Sequence, residues 1–299
     1  MRTAAKAREA SLEEVRAFYA TSMAAAGRRL YWPRGDAFEI RLEGAFQVVP
    51  REMFLPPGPW HVETGSGHYL ETPSADVRYL YRDVGVAIDR RRGINNGQPS
   101  GHARVMGRLE PRPGETVVHI GAGTGYYTAL LSMLVAPGGR VAAFEVDCEL
   151  ARWARRNLYA LENVSLIAGN AAMLALPEAD VIYVNAGVLA PLVHWLTALR
   201  PGGRMFLPWR PAAEIGAALF IRRTPMGFAA EVTRTWFIAC AGGCSGALKG
   251  RPPDLSRIMA TRSLHLTAER PPDATATAIY PRLWFSSRAL ESAAETGLA

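Results

Sequence analysis

Three glycines, each separated by one residue, follow a short apolar run and precede a helical pattern. They are Gly121, Gly123 and Gly125, directly after the run at 116–120. Glycines at such a turn let the backbone approach a ligand closely, and the helix that follows presents unpaired N–H groups at its first turn. A dinucleotide site requires Gly-x-Gly-x-x-Gly, but the residue at its last position is Tyr126. The loop therefore favours a cofactor other than a dinucleotide.

Two further runs end in side chains that suit a nucleoside. Glu145 stands near the end of the run at 140–146, where a carboxylate can accept hydrogen bonds from both hydroxyls of a ribose. Gly169 and Asn170 close the third run, and an asparagine amide can pair with an adenine edge. Together with the glycine spacing, these residues favour S-adenosylmethionine, which has no pyrophosphate to bind.

The elements that must position these residues alternate along the chain. Apolar runs predict strands, and helical patterns lie between most of them; the runs are 116–120, 140–146, 164–169, 180–186 and 204–209. This alternation is typical of a parallel, doubly wound α/β sheet. Two further strands around a turn near residue 225 predict an antiparallel hairpin. A mostly parallel sheet closed by a C-terminal hairpin is the layout of Rossmann-like class I S-adenosylmethionine methyltransferases.

The same patterns divide the chain into three regions. Residues 1–100 are expected to form a helical and irregular segment that covers the active site, beginning with a helix that Ser11 and Glu14 cap. Residues 101–248 are the expected cofactor-binding core. Residues 249–299 form a C-terminal extension whose role the sequence does not indicate.

Four motifs outside the glycine loop resemble the protein-L-isoaspartate O-methyltransferase family. They are Val-Pro-Arg-x-x-Phe-x-Pro at 49–56, Gly-Gln-Pro at 97–99, Arg-Pro-Gly-Gly-Arg with Leu-Pro at 200–208, and a hairpin strand that ends in Trp236-Phe237-Ile238. The resemblance covers about residues 40–240. It implies S-adenosylmethionine as the cofactor and a carboxylate as the methyl acceptor.

This chain departs from the family at the family's catalytic position. Gly97 stands where the family has its catalytic serine, and Asn95 and Asn96 replace the neighbouring Thr-Ile pair. Asn170 replaces the family's acidic residue that meets adenine, while His102 matches a histidine that some members place near the cofactor. The resemblance therefore implies a divergent member that lacks the serine. The cofactor site is assigned to His102, His119, Gly121, Gly123, Gly125, Glu145, Gly169 and Asn170.

Methyl transfer to a carboxylate does not require the missing serine as a general base. A carboxylate is already ionised at neutral pH, so it attacks a sulfonium methyl in line without a general base. Catalysis then consists mostly of holding the reacting groups close, aligned and away from water. Gly97 removes an orienting donor and is expected to leave room for a bulkier acceptor. We assign the catalytic positions to Gly97 and to its expected substitutes Asn95, Asn96 and Ser100.

Three successive arginines, Arg90, Arg91 and Arg92, lead into this loop. Side chains alternate faces on an extended segment, so one or two are expected to face the acceptor. A guanidinium can hold a carboxylate with two parallel hydrogen bonds. We assign substrate binding to Arg91 and Arg92, with a solvated basic turn as the alternative interpretation.

Amino-acid composition and charge exclude several classes of protein. The 299 residues are 49% apolar, which is enough for a sizeable core and excludes a largely disordered chain. The charge of +7 comes almost wholly from arginine, but no basic and aromatic run resembles a nucleic-acid module. No apolar run approaches the roughly 18 residues of a membrane span, and the start of the chain, which has no apolar core segment, is not expected to be a secretory signal. Three cysteines predict neither a disulfide framework nor a metal site.

The sequence thus predicts a cytoplasmic O-methyltransferase that acts on a carboxylate of a peptide, a protein or a small molecule. It predicts no nucleic-acid, membrane or metal partner. Two alternatives stay open. One is an N- or phenol O-methyltransferase in which His102 acts as the base. The other is a cofactor-binding protein without catalysis.

Overall fold

The computed structural model describes residues 9–28, 36–65, 67–212, 215–234 and 253–290. The chain forms two compact units. The first comprises Met1–Glu110 and Thr124–Leu134, and the second comprises Pro111–Gly123 and Val135–Ala299. The expected division at residues 100 and 248 stays a prediction. Helix α3 (Pro99–Leu109), which spans the first of these boundaries, lies wholly in the first unit.

The first unit is built mainly from helices and two small antiparallel ribbons. Its other helices are α1 (Leu12–Gly27), α2 (Ala37–Val48) and α4 (Tyr126–Val135). Val135, the last residue of α4, belongs to the second unit. The ribbons pair β1 (His61–Glu63) with β2 (Tyr69–Glu71), and β3 (Ala87–Asp89) with β4 (Ile94–Asn95). The Ser11 hydroxyl and the Glu14 carboxylate form the capping box predicted for α1.

Sequence analysis did not predict α2, although its burial pattern is helical. Asp36 caps the helix by accepting a hydrogen bond from the Glu39 N–H. Phe38, Leu42 and Phe46 lie four residues apart and are buried, as expected for one face of a helix. The proline and glycine residues that surround this segment concealed the pattern.

The second unit contains a sheet in which ten strands of the described chain take part. The parallel strands are β5 (Thr116–Ile120), β6 (Arg140–Glu145), β7 (Val164–Ala168), β8 (Ala179–Val184) and β9 (Leu199–Ala212). Their order across the sheet is β7-β6-β5-β8-β9. Helix α5 (Cys148–Asn157) follows β6, and α6 (Val193–Ala198) precedes β9. This confirms the predicted mostly parallel α/β fold.

Antiparallel strands continue the sheet beyond β9. The predicted hairpin is present as β10 (Ile215–Thr224) and β11 (Gly227–Arg234), whose register pairs Thr224 with Gly227. The C-terminal extension adds α7 (Leu255–Met259), β12 (Ser263–Leu266), β13 (Ala276–Ile279) and β14 (Leu283–Ser286). The order β11-β12-β14-β13 makes these strands a direct extension of the sheet.

The extension also completes the hydrophobic core of this unit. The Trp209 indole N–H on β9 donates to the Tyr280 hydroxyl at 3.0 Å, and the Trp209 ring lies 4.4 Å from that of Phe285. Leu264 and Leu283 are buried in the same core. Sequence analysis assigned no structure to this extension because it follows no repeated strand–helix pattern.

Some expected features fall outside the described residues, among them Cys240, Cys244 and the strand end at Trp236-Phe237-Ile238. Within the described ranges, no helix has both the length and the apolar character that crossing a membrane requires. The same ranges hold no group of three or more His, Cys, Asp and Glu side chains arranged for a metal ion.

Candidate functional site

The glycine loop begins where the strand order of the second unit reverses. After β5, the chain continues to β6 on one side, whereas β8 lies on the other. The Gly121 N–H donates to the Phe144 carbonyl at 2.8 Å, and the Asn185 N–H donates to the Ile120 carbonyl at 2.7 Å. The carboxyl ends of β5, β6 and β8 therefore meet at one edge, which is where open α/β sheets bind ligands.

Gly121 and Gly123 both adopt backbone conformations that favour glycine. Gly121 has φ of +83°, and a Cβ there would lie 3.3 Å from the Asn185 carbonyl oxygen. Gly123 has φ of +58°, and a Cβ there would meet nothing within 4 Å. The second glycine thus faces open space, so that its backbone is accessible to a ligand.

Glu145 is fixed beside this open space by two backbone donors. Its Oε2 accepts a hydrogen bond from the Gly123 N–H at 2.7 Å, and its Oε1 accepts one from the Asp147 N–H at 2.9 Å. The residue is only 6% exposed, and burial raises the pKa of the carboxyl against the opposing effect of these N–H groups. Each oxygen keeps acceptor capacity, as binding of a ribose diol requires.

Gly169 and Asn170 lie next to Glu145 along the same edge. The Gly169 N–H donates to the Glu145 carbonyl at 2.8 Å. The Asn170 Oδ1 accepts from the Ala172 N–H at 2.9 Å, so this oxygen stabilises the turn after β7. A contact between the Asn170 amide and adenine stays a prediction.

His119 lies within β5, before the loop begins. Its side chain is buried, and its ring lies 5.2 Å from that of Tyr183. Burial lowers the pKa of the imidazole to about 3, so the ring is neutral at physiological pH. Its assigned contact with the cofactor stays a prediction.

The last part of the loop belongs to the first unit. Gly125 has φ of +99°, and its carbonyl accepts from the Ala129 N–H in the first turn of α4. The Thr124 hydroxyl donates to the Phe54 carbonyl at 2.6 Å, and the Phe54 ring lies 5.5 Å from that of Tyr126. The motif at 49–56 therefore anchors the end of the glycine loop, a role that the sequence did not reveal.

Asn95 and Asn96 hold the loop that carries Gly97. Asn95 donates from Nδ2 to the Tyr69 hydroxyl at 2.7 Å and accepts at Oδ1 from the Gly97 N–H at 2.8 Å. The Oδ1 of buried Asn96 accepts from the Val86 N–H at 2.9 Å. Both amides thus shape the loop, and their assigned contacts with the acceptor stay predictions.

Ser100 lies in the first turn of α3, where Asp83 binds the helix end. The Asp83 carboxylate accepts from the Ser100 N–H at 2.8 Å and from the Gln98 side-chain amide at 2.9 Å. The Ser100 hydroxyl accepts from the Arg104 guanidinium at 3.0 Å. Ser100 is buried, and its assigned contact with the acceptor stays a prediction.

Arg51, which the sequence analysis gave only as part of the motif at 49–56, is buried and hydrogen-bonds to several loops of the first unit. Its guanidinium donates to four uncharged acceptors: the carbonyls of Leu80, Arg82 and Val84, and Asn96 Oδ1, at 2.5 to 3.1 Å. Arg51 therefore joins the segment before β3 to the loop that holds Gly97. No spacing signal connects residues so far apart in the chain.

The space beside Gly97 is filled by the imidazole of His102. Gly97 has φ of +70°, and a Cβ there would lie 2.3 Å from His102 Nε2. The expectation that Gly97 leaves room for a bulkier acceptor is therefore wrong at this position. His102, assigned to the cofactor from the sequence, lies in the first unit with the Gly97 loop.

The three arginines differ in their surroundings. Arg92 Nε pairs with the Asp89 carboxylate at 2.7 Å, and the Arg91 N–H also donates to Asp89. No carboxylate of the described residues pairs with Arg90 or Arg91. These two line a groove of about 370 Å³ whose other walls include Pro56, Pro57, Pro59 and Trp60.

Comparison with known proteins agrees with this geometry. The family model described as Protein-L-isoaspartate(D-aspartate) O-methyltransferase matches residues 63–243. A protein-L-isoaspartate O-methyltransferase of Aeropyrum pernix is 34% identical over 197 residues, which cover 62% of this chain and 66% of the relative. The chain thus matches slightly less than two thirds of that relative's length.

Two solved structures share the fold. A protein-L-isoaspartate O-methyltransferase superimposes with a TM-score of 0.63 at 23% identity, covering 84% of this chain and 73% of its own. A protein-L-isoaspartate O-methyltransferase from Plasmodium falciparum, described as putative and in complex with S-adenosyl-L-homocysteine, gives a TM-score of 0.55 at 16% identity, covering 74% and 97%. By the family match over most of its length, the chain belongs to the protein-L-isoaspartate(D-aspartate) O-methyltransferase family.

Proposed function

We propose that this chain transfers a methyl group from S-adenosylmethionine to a carboxylate of a peptide or protein. The observation that carries the proposal is the Glu145 carboxylate, held between the N–H groups of Gly123 and Asp147 at the edge where the strand order reverses. Membership of the family and the S-adenosyl-L-homocysteine bound in the Plasmodium relative support it.

The residues present fit this cofactor. Glu145 would bind the ribose hydroxyls, and the backbone at Gly121 and Gly123 would approach the ligand, because a Cβ at Gly123 has only open space before it. Asn170 is the candidate for the adenine edge. When bound, the cofactor supplies an electrophilic methyl group, which passes from a sulfonium sulfur to the acceptor oxygen and leaves a neutral thioether.

The loop that carries Gly97 would hold the acceptor. Arg51 and the two asparagines fix the Gly97 loop, which lowers the entropic cost of positioning a carboxylate. Arg91 is the better candidate of the two assigned arginines for binding an acidic acceptor, because Arg92 already pairs with Asp89. The groove beside Arg91 favours a peptide or protein over a small molecule, since prolines and Trp60 extend the contact surface.

Calorimetry with S-adenosylhomocysteine tests the cofactor site. We expect binding by the unchanged protein and a loss of about 1.5–3 kcal/mol in Glu145→Ala, the usual cost of removing hydrogen bonds to a charged group. Exposed Glu149, on the next helix, provides the control variant Glu149→Ala. Unchanged affinity in Glu145→Ala would contradict the ribose assignment.

The acceptor chemistry is tested with methyl-labelled S-adenosylmethionine and a peptide that contains an isoaspartyl residue. A methyl ester releases volatile methanol in mild base, and this is the expected product. A base-stable methyl group would instead identify an N- or phenol O-methyltransferase. Binding of the cofactor without transfer to peptides or proteins would contradict the proposed function.

A further inference from the structure

The turn between β3 and β4 carries two arginines, Arg90 and Arg91, at an exposed end of their ribbon. The Gly93 N–H donates to the Arg90 carbonyl at 3.2 Å within this turn. Neither arginine pairs with a carboxylate in the part of the chain that the structure describes. Asp89 is held by Arg92 Nε at 2.7 Å, and this hydrogen bond keeps the pKa of the Asp89 carboxyl below its ordinary value. The positive charges of Arg90 and Arg91 are therefore available to a ligand.

Both arginines line a groove that also has apolar and rigid parts. Pro56, Pro57 and Pro59 are among its lining residues, and the proline ring fixes the backbone angle φ. The Trp60 indole N–H donates to the Pro56 carbonyl at 2.7 Å, which holds the ring beside the prolines. The volume of about 370 Å³ is small for a ligand pocket, so the groove holds only a short part of a peptide. Because its lining is ordered in advance, little entropy is lost when a ligand binds.

The arginines and Gly97 lie at opposite ends of the β3–β4 ribbon. The Asn96 N–H donates to the Val86 carbonyl at 3.0 Å, so Gly97 follows the end that is away from the turn. Ala87, next to Val86, lines the same groove as the arginines. Val86 and Arg90 are four residues apart, which is up to about 13 Å along a strand. A carboxylate held by the Gly97 loop therefore lies away from the turn, and the arginines are placed to bind a second acidic group.

We propose that this turn selects acceptors with an acidic residue three or four positions from the residue that is methylated. An extended peptide advances about 3.3 Å per residue, so three or four residues span the length of the ribbon. A guanidinium holds a carboxylate with two parallel hydrogen bonds, and the residues between the two carboxylates would cover the prolines. The proposal rests on the proposed function. It makes Arg90 and Arg91 specificity-determining residues that bind an acidic side chain other than the methyl acceptor.

Binding of paired peptides tests the spacing. The probes are peptides with capped ends, one isoaspartyl residue and one glutamate, placed next to it or three or four positions away on either side. Glutamine replaces the glutamate in each matched control. Calorimetry, with and without S-adenosylhomocysteine, should show about fivefold tighter binding for a distant glutamate on one side than for its glutamine control, as a strong exposed ion pair provides. Equal binding within every pair, or the same gain from an adjacent glutamate, would overturn the proposal.

Variants that remove charge assign the effect to the turn. In the double variant Arg90→Gln and Arg91→Gln, the glutamate peptide should bind no more tightly than its glutamine control. Arg82→Gln is the matched variant, because Arg82 is an exposed arginine of the same unit that does not line the groove. It should keep the wild-type preference. A preference that survives in the double variant, or an equal loss in Arg82→Gln, would overturn the proposal.

Steady-state kinetics distinguish this inference from the proposed function. With methyl-labelled S-adenosylmethionine, the distant glutamate should lower the KM for the peptide about fivefold and leave kcat unchanged, because the turn lies away from the reacting atoms. A change in kcat without a change in KM would contradict the proposal. A protein that forms no methyl ester would refute the proposed function, yet calorimetry with the paired peptides would still decide whether the turn binds an acidic residue.

Discussion

A methyl group on Gly107 of α3 would lie 1.7 Å from the carbonyl oxygen of Gly27 in α1. The two helices therefore touch through bare backbone at this point. The reverse substitution is also excluded, because a Cβ on Gly27 would lie 2.8 Å from the Ala103 carbonyl oxygen. This contact fixes α3, the helix that carries Ser100 and His102.

Gly107→Ala should destabilise the protein by at least about 2 kcal/mol, because backbone atoms cannot move aside as a side chain can. Gly101→Ala provides a control on the same helix, since a Cβ there meets nothing within 4 Å. It should stabilise the protein by about 0.5–1 kcal/mol through the lower entropy of the unfolded chain. Urea denaturation measures both, and similar effects would show that α1 and α3 are not in backbone contact.

As the pH is lowered, the affinity for the cofactor should begin to fall at a higher pH than the ordinary pKa of a glutamate would predict. Burial raises the pKa of Glu145, so its carboxyl gains a proton above the usual value near 4.3. The protonated group is a weaker acceptor for the ribose hydroxyls. Titration of S-adenosylhomocysteine across this range should show the decline in the wild type and a flat profile in Glu145→Gln. A decline of equal size in both would assign the pH dependence to another group.

Acid should also lower the free energy of unfolding through His119. The folded-state pKa of about 3 lies below the unfolded value near 6.5, so below pH 6.5 the unfolded state binds more protons. The stabilisation is present above pH 6.5 and is lost progressively as the pH falls towards 3. Between pH 7 and pH 5 this group should account for roughly 2 kcal/mol. The loss of stability should be smaller by that amount in His119→Gln, and equal losses would contradict the prediction.

Arg91→Ala should raise the KM for an acidic peptide several-fold without changing cofactor affinity. A guanidinium without a carboxylate partner among the described residues is available to the acceptor, whereas the Arg92 guanidinium already pairs with Asp89. Arg92→Ala removes the same charge at the next residue and is the matched control. Steady-state kinetics at physiological salt distinguish them. Equal changes in KM would indicate a general effect of surface charge.

Regular patterns made the central fold predictable. The parallel strands β5 to β8 are short apolar runs, most of them separated by helices, and glycine spacing marks the turn after β5. Glu145 could be placed beside that turn because parallel strands end at one edge. By contrast, α2 lies among prolines and glycines, and β12 to β14 pair without a repeating pattern. These elements are determined by tertiary contacts, which a single sequence does not display.

The structure of the loop that carries Gly97 likewise could not be predicted from residue spacing. The sequence predicted that Gly97 removes a side chain, but not that the His102 ring fills the resulting space. It likewise quoted Arg51 as part of a motif without locating its partners, which lie 29 to 45 residues away. Neither the sign of φ at Gly97 nor a buried hydrogen-bond network follows from residue spacing.

The position of the C-terminal strands bears on how the chain folds during synthesis. Domains generally fold as their residues leave the ribosome, from the N-terminal end onward. Trp209 is synthesised long before Tyr280 and Phe285, the two residues that pack against its ring. Until those last strands emerge, β11 is the outer strand of the nascent sheet, with unpaired backbone groups that can pair with another chain. The interval between the synthesis of β11 and of β12 is therefore a period in which the edge of the nascent sheet can pair with other unfinished chains.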